Sequence, residues 1–176
     1  MMMRTRLAFA LLIAAVALLG SFGSSRADGI RETLDHLYRH VPGSQDLVRR
    51  SAGVLVFPTI IKAGIGIGGE YGEGELLIAG RPVARYNTAS ASIGLQLGAQ
   101  SRSVVIVFMT PQALEGFRRI DGWKVGVDGS IAILTVGAGA SLDTTKVAAP
   151  IVGFIIDPKG LMYNLTLEGS KISRMN

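Results

Sequence analysis

The chain has 176 residues, 18 basic and 13 acidic side chains and no cysteine. The absence of cysteine excludes disulfides, thiol catalysis and thioether lipid attachment, so core packing must supply the stability. Arg4, Arg6 and Arg26 precede Asp28, which reduces the formal charge of +5 by three, to +2, from Asp28 onward; bulk charge therefore argues against nucleic acid.

Residues 1–27 have the anatomy of a secretory signal. Arg4 and Arg6 form a basic start, Leu7 to Leu19 is an apolar run, and Ser25-Arg26-Ala27 places small residues before a cleavage position at Asp28. Thirteen apolar residues are short of the about 20 that a spanning helix needs. The box Leu18-Leu19-Gly20-Ser21 has Ser21 where a lipoprotein carries its acylated cysteine. The expectation is a periplasmic or envelope-associated protein without a cysteine-linked anchor, its residues 28–176 forming a single domain.

The domain opens with a helix: Ile30, Leu34, Leu37, Tyr38 and Val41 recur at helical spacing, Asp28 stands as cap and Pro42-Gly43 as stop. A short helical segment, Ser44 to Arg50, follows. Val54 to Phe57 reads as a buried strand stopped by Pro58, and period-two alternation marks residues 64–78 and 83–99. Val104 to Met109 is another apolar run, and Thr110-Pro111 starts a helix over Gln112 to Arg119. Strands are expected at Trp123 to Val127 and Ser130 to Ala140 around an Asp128-Gly129 hairpin turn, then at Ile151 to Ile156 and Leu161 to Leu167. This predicts a sheet-dominated α+β fold: a strongly curved antiparallel sheet or small β-barrel with an N-terminal helix and one internal helix. A transmembrane barrel fits less well, because Arg102 and the internal helix interrupt any regular strand series.

Gly64, Gly66 and Gly69 match G-x-G-x-x-G, but Glu70-Tyr71-Gly72-Glu73-Gly74-Glu75 is no helix start for a pyrophosphate, and no acid stands where a ribose partner should. A nucleotide site is excluded. The stronger pattern is alternation. Gly64, Gly66, Gly68, Gly72 and Gly74 share one parity, with Ile65, Ile67 and Tyr71 on the other. Smaller faces recur at Ser90, Ser92, Gly94, Gln96 and Gly98, and at Gly137, Gly139 and Ser141. A glycine face means sharp curvature, close packing of a helix, or a shallow surface that receives a ligand.

His36 and His40 lack the companions of a zinc site, there is no nucleophile elbow, and Glu70, Glu73 and Glu75 read as a solvated rim. Asn164-Leu165-Thr166 fits a glycosylation sequon but sits in an apolar strand. No catalytic residue, metal or cofactor is assigned. Lys62, Arg49, Arg50, Arg81 and Arg85 flank the glycine strand and the turns beside it, where a cation next to exposed backbone N–H groups can seat a phosphate.

The stretches GVLVFPTIIKAGIGIGGEYGEG (53–74), YNTASASIGLQLGAQ (86–100), VVIVFMT (104–110), DGWKVGVDGSIA (121–132) and GLMYNLTLEGSKI (160–172) resemble, in order, the SYLF domain family. The resemblance implies a sheet-dominated lipid-binding module, associated with phosphoinositide membranes and actin filaments in eukaryotes and exported in bacteria. The family's amphipathic N-terminal helix maps onto Gly29 to Val41, where Arg31 and Arg39 are mixed with Glu32 and Asp35, implying generic phospholipid contact. The expected function is non-enzymatic binding of a phospholipid or membrane surface through Lys62, Gly64, Gly66, Gly68, Arg49, Arg50, Arg81 and Arg85. The alternative is a protein-interaction module for an envelope partner, as actin is for eukaryotic relatives.

Overall fold

The computed structural model describes residues 26–137, 148–159 and 169–176, with backbone alone at 92–97 and 157–159. Helix α1 covers residues 26–40. It is already under way at Arg26, so Asp28 lies inside the helix and does not cap it. The expected helical spacing does face the core: Ile30, Leu37 and Val41 are buried, with Leu34 and Tyr38 packed alongside. Gly43, at φ 84°, makes the break before helix α2, Ser44–Arg50.

Strands β1 (Gly53–Ile78) and β2 (Arg81–Phe108) form one antiparallel hairpin. Its turn, Ala79-Gly80, has positive φ at both residues (51° and 74°), as a type I′ connection requires. The sequence suggested four shorter strands here. Pro58 does not stop β1 but passes through it at a register shift between Phe57 and Ile60, where the ladder asks no N–H of it.

So long a ribbon cannot lie flat over one core, and it doubles back. A side chain at Gly72 would meet the Thr59 carbonyl oxygen at 2.8 Å, and one at Gly74 would strike the Val56 carbonyl and the Phe57 ring. Residues 72–76 therefore lie on residues 55–60. Inside the curl, Leu55, Phe57, Ile60 and Leu76 join Tyr86, Phe108, Phe117 and Trp123 in one cluster. On the outer face of the same stretch, Val54, Val56, Val105 and Val107 pack with Ile30, Leu37 and Leu47 of the two helices. Burial on both faces is why Val54 to Phe57 and Val104 to Phe108 read as unbroken apolar runs.

Helix α3, Pro111–Arg119, starts as expected, with Thr110 Oγ1 accepting the Ala113 N–H at 3.2 Å. It seats Phe117 against the rings of Phe108, Tyr86 and Trp123, at 4.8, 4.9 and 5.5 Å between centroids. Strands β3 (Trp123–Lys124), β4 (Ala132–Thr135), β5 (Ile151–Lys159) and β6 (Lys171–Arg174) complete the described sheet in the order β3-β6-β2-β5-β4, with β1 also on β2. The result is the sheet-dominated, curled half-barrel that the sequence predicted. Two local expectations fail. The β4–β5 pair is parallel, and Asp128-Gly129 joins no hairpin: Asp128 Oδ2 accepts the Lys124 N–H at 2.7 Å in a tight loop, after which the chain enters β4, which pairs with β5 and not with β3. Strand β6 was not foreseen, while Leu161 to Leu167, Gly139, Ser141 and Asn164 lie outside the described residues.

Candidate functional site

Where the ribbon doubles back, residues 61–71 of β1 form a corner with residues 89–101 of β2. β6 holds β2 at residues 86–89 and β5 holds it from Ser101 onward. Between these two holds, residues 90–100 pair only with β1 among the described strands. The alternation read from the sequence is real here, and its sense is now clear. Gly68, Glu70, Gly72 and Gly74 turn inward and are buried. Ile61, Ile65, Ile67 and Tyr71 turn outward, 55%, 80%, 72% and 51% exposed.

The glycines are there because the bend leaves no room. A Cβ at Gly64 would collide with the backbone of Gly68. Gly66 takes φ 72° at a register shift between Ile65 and Ile67, a conformation that a side chain resists. What comes close to the glycine face is thus β1 itself, and of the expected ligand residues Gly64 and Gly68 line the inside of the fold. Gly66 is exposed at the bulge. Lys62 is half-buried on the inward parity, opposite the buried Gln100.

The expected cations do not converge. Arg49 and Arg50 are exposed at the end of α2. Arg49 also rims an apolar pocket of about 390 Å³ walled by Leu34, Tyr38, Val54, Leu77 and Gly80. The exposed Arg81 follows directly on Gly80. Gly53, which also lines this pocket, is nine residues of β1 from Lys62, roughly 30 Å of strand. Arg85 lies elsewhere again, 3.1 Å from Glu73.

The three carboxylates read as a solvated rim are not one. Glu70 is buried: its Oε2 lies 2.6 Å from Arg102 Nη2, and its Oε1 accepts Ser170 Oγ–H at 3.3 Å. Glu73, at the base of the corner, accepts from Tyr71 OH at 3.0 Å, Arg26 at 2.8 Å and Arg85 at 3.1 Å. The Tyr71 hydrogen bond, then the two guanidinium charges, hold the Glu73 carboxyl below its usual value against a modest desolvation. The same hydrogen bond raises the Tyr71 phenol. His36 and His40 stack at 4.0 Å between centroids, and among the described residues no group of three or more His, Asp or Glu could hold a metal.

The corner thus presents an apolar outward face, and no ionisable residue other than Lys62 occurs from Ile61 to Gly69 or from Ser90 to Ser101. Ile61, Ile65, Ile67 and Tyr71 were not among the expected ligand residues, although their parity was legible as the partner of the glycine face. No described helix is long and apolar enough to cross a membrane.

Residues 89–176, half of the chain, match the family described as Ysc84, Las17-binding protein actin regulator. An SH3 domain-containing protein of Schizosaccharomyces pombe is 29% identical over 148 residues, covering 75% of this chain and 33% of that protein. The chain thus spans about a third of the length of this relative. On the family match, and in agreement with its motifs, the chain belongs to the Ysc84 family, the SYLF-domain proteins.

Proposed function

We propose that this chain is a non-enzymatic interaction module that docks on a phospholipid surface through the corner of its β1–β2 hairpin. The observation that carries the reading is the outward row Ile61, Ile65, Ile67 and Tyr71, left in water on a ribbon whose one ionisable residue from Ile61 to Gly69 and from Ser90 to Ser101 is Lys62. Fully burying an isoleucine side chain contributes about 1.5–3 kcal/mol, so a few of them give a useful membrane affinity. Tyrosine beside them suits the headgroup boundary, where one end of the ring is apolar and the other wet. The apolar side of α1 is occupied by the protein's own core, which favours the corner over that helix as the lipid contact. The leader-like residues 1–27 support action in the cell envelope after export.

Co-sedimentation of the chain with phosphatidylcholine and phosphatidylglycerol vesicles tests this. Binding to either above the vesicle-free background supports the reading, and binding to neither contradicts it. A second reading, a protein-binding module, is favoured by the family description and the SH3-containing relative. Capture of a protein partner that survives delipidation, from a chain that binds no vesicle, would select it.

A further inference from the structure

Doubling the ribbon back brings the two ends of β1 together. A Cβ built on Gly53, at the start of the strand, would lie 3.4 Å from the carbonyl oxygen of Leu77 near its end. Residues of α1 and α2 close over this seam, and between them stays the pocket of about 390 Å³. Val54 and Leu77 are its buried floor, and Leu34, Tyr38 and Val48 are its half-buried walls. Gly53 and Gly80 line it without a side chain to fill it. Close-packed interiors leave few voids larger than a water molecule, and a pocket of this size falls in the range that takes a small ligand, about 300–1,000 Å³.

The rim has the opposite character. Arg49 lines the pocket and also, with Asp46 and Arg50, a polar hollow that adjoins it. Arg81 follows directly on Gly80. Against these three arginines stand Asp46 in the hollow and Asp35, whose charge is felt at the Tyr38 phenol. Arg49 reaches Asp46 only at 3.6 Å, with side chains 75% and 72% exposed, a loose pair that an arriving anion can displace.

We propose that this pocket takes a single-chain anionic amphiphile, a fatty carboxylate, its chain against Leu34, Val48, Val54 and Leu77 and its head at Arg49. The site is separate from the corner and does not rest on the lipid-docking reading. Apolar walls alone would suit any hydrophobic group. The guanidinium at the mouth selects a carboxylate, which its paired N–H donors meet in parallel. Each methylene taken out of water raises affinity about fourfold.

Isothermal titration calorimetry of the full chain with octanoate, decanoate and decanol, each dispersed as monomers, tests this. Decanoate should bind roughly 15-fold more tightly than octanoate, which is two methylenes shorter. It should bind roughly fivefold more tightly than decanol, the upper end for an exposed ion pair. Arg49→Glu should erase the preference over decanol, and Val48→Trp, which fills the pocket, should weaken decanoate about tenfold or more; circular dichroism melts confirm that both variants fold. Ile65→Ser/Ile67→Ser should bind decanoate as the parent does. Loss of decanoate in that corner variant overturns the pocket and moves the amphiphile to the corner. Equal binding of decanoate and decanol by the parent overturns the anionic occupant. Absence of decanoate binding, or binding unchanged in folded Val48→Trp, overturns the pocket and leaves vesicle docking at the corner standing.

Discussion

Glu70 and Arg102 stand 32 residues apart in sequence and 2.6 Å apart in space, their side chains only 3% and 2% exposed. The pair joins the outer limb of the ribbon to the limb held by β5, so it clasps the bend from within. Taking one charge away removes this buried ion pair and leaves the other charge in the interior, which costs about 3–5 kcal/mol. Glu70→Ala should lower the melting temperature by roughly 10 °C. The double change Glu70→Met with Arg102→Met should recover most of that loss. Thermal denaturation followed by circular dichroism reads both, and a Glu70→Ala melt within about 2 °C of the parent would show that the clasp contributes little.

The glycines of β1 should differ in a defined order. Gly74→Ala drives a methyl into the Val56 carbonyl and the Phe57 ring and should cost about 2–3 kcal/mol. Gly66 has open space around it but φ 72°, so alanine there should cost about 1 kcal/mol through backbone strain alone. Gly69 has neither constraint, its nearest neighbour being the Ser90 carbonyl oxygen at 3.9 Å, and alanine should be tolerated. Urea unfolding of the three variants checks the ranking; equal losses at all three would contradict a bend that is tight only on its inner face.

Those glycines mark how far the sequence could be read. Parity alone showed that one face of residues 64–74 is bare and the other apolar, and capping alone located α3 through Thr110 and Pro111. What parity cannot show is which face turns inward, because that depends on where the ribbon bends and what it bends onto. The bend is set by contacts between residues 55–60 and 72–76, long-range pairings with no local signature. For the same reason Pro58 was read as a strand end, Glu70 as solvated, and Arg49, Arg81, Arg85 and Lys62 as neighbours although the doubled hairpin separates them. Strand β6 is only four residues long, and its partners are Trp123-Lys124 and residues 86–89. Nothing local distinguishes it from a tail.

Glu73 gives the fold an acid-sensitive contact. Its carboxyl is held below the ordinary 4.5 by Tyr71, Arg26 and Arg85. A depressed carboxylate contributes stability above its unfolded value, and that contribution is lost as pH falls through the lower folded one. Glu73→Gln should therefore melt earlier than the parent at pH 7, and the gap should narrow as pH falls below the ordinary 4.5 and through the lower folded value. Because the carboxylate and its two arginines are partly exposed, the gap should stay within about 1 kcal/mol and shrink in high salt. A gap that persists unchanged at pH 3 would assign the effect to shape and not to charge.

Vesicle binding should be nearly blind to ionic strength. Within the corner Lys62 is the one basic side chain, Glu70 being buried against Arg102, and the arginines expected to meet headgroups lie elsewhere. Raising NaCl from low to molar concentration shortens the screening length to about 3 Å, which would abolish attraction between surface charges and lipid. The partition coefficient on phosphatidylglycerol vesicles should change less than threefold over that range. Arg49→Ala combined with Arg81→Ala should leave it unchanged. A steep salt dependence, or a loss in the arginine variant, would move the contact to the turn end of the hairpin.

The central claim is that the outward row of the corner is what meets lipid. Its most direct test is the partition coefficient of Ile65→Ser/Ile67→Ser on phosphatidylcholine vesicles, measured beside the parent. Both positions are largely exposed, so the melting temperature should not fall. Removing the two isoleucines should take away about 2–3 kcal/mol, weakening binding roughly 30- to 150-fold. Binding as tight as the parent's, from a variant that melts at the parent's temperature, would contradict the claim.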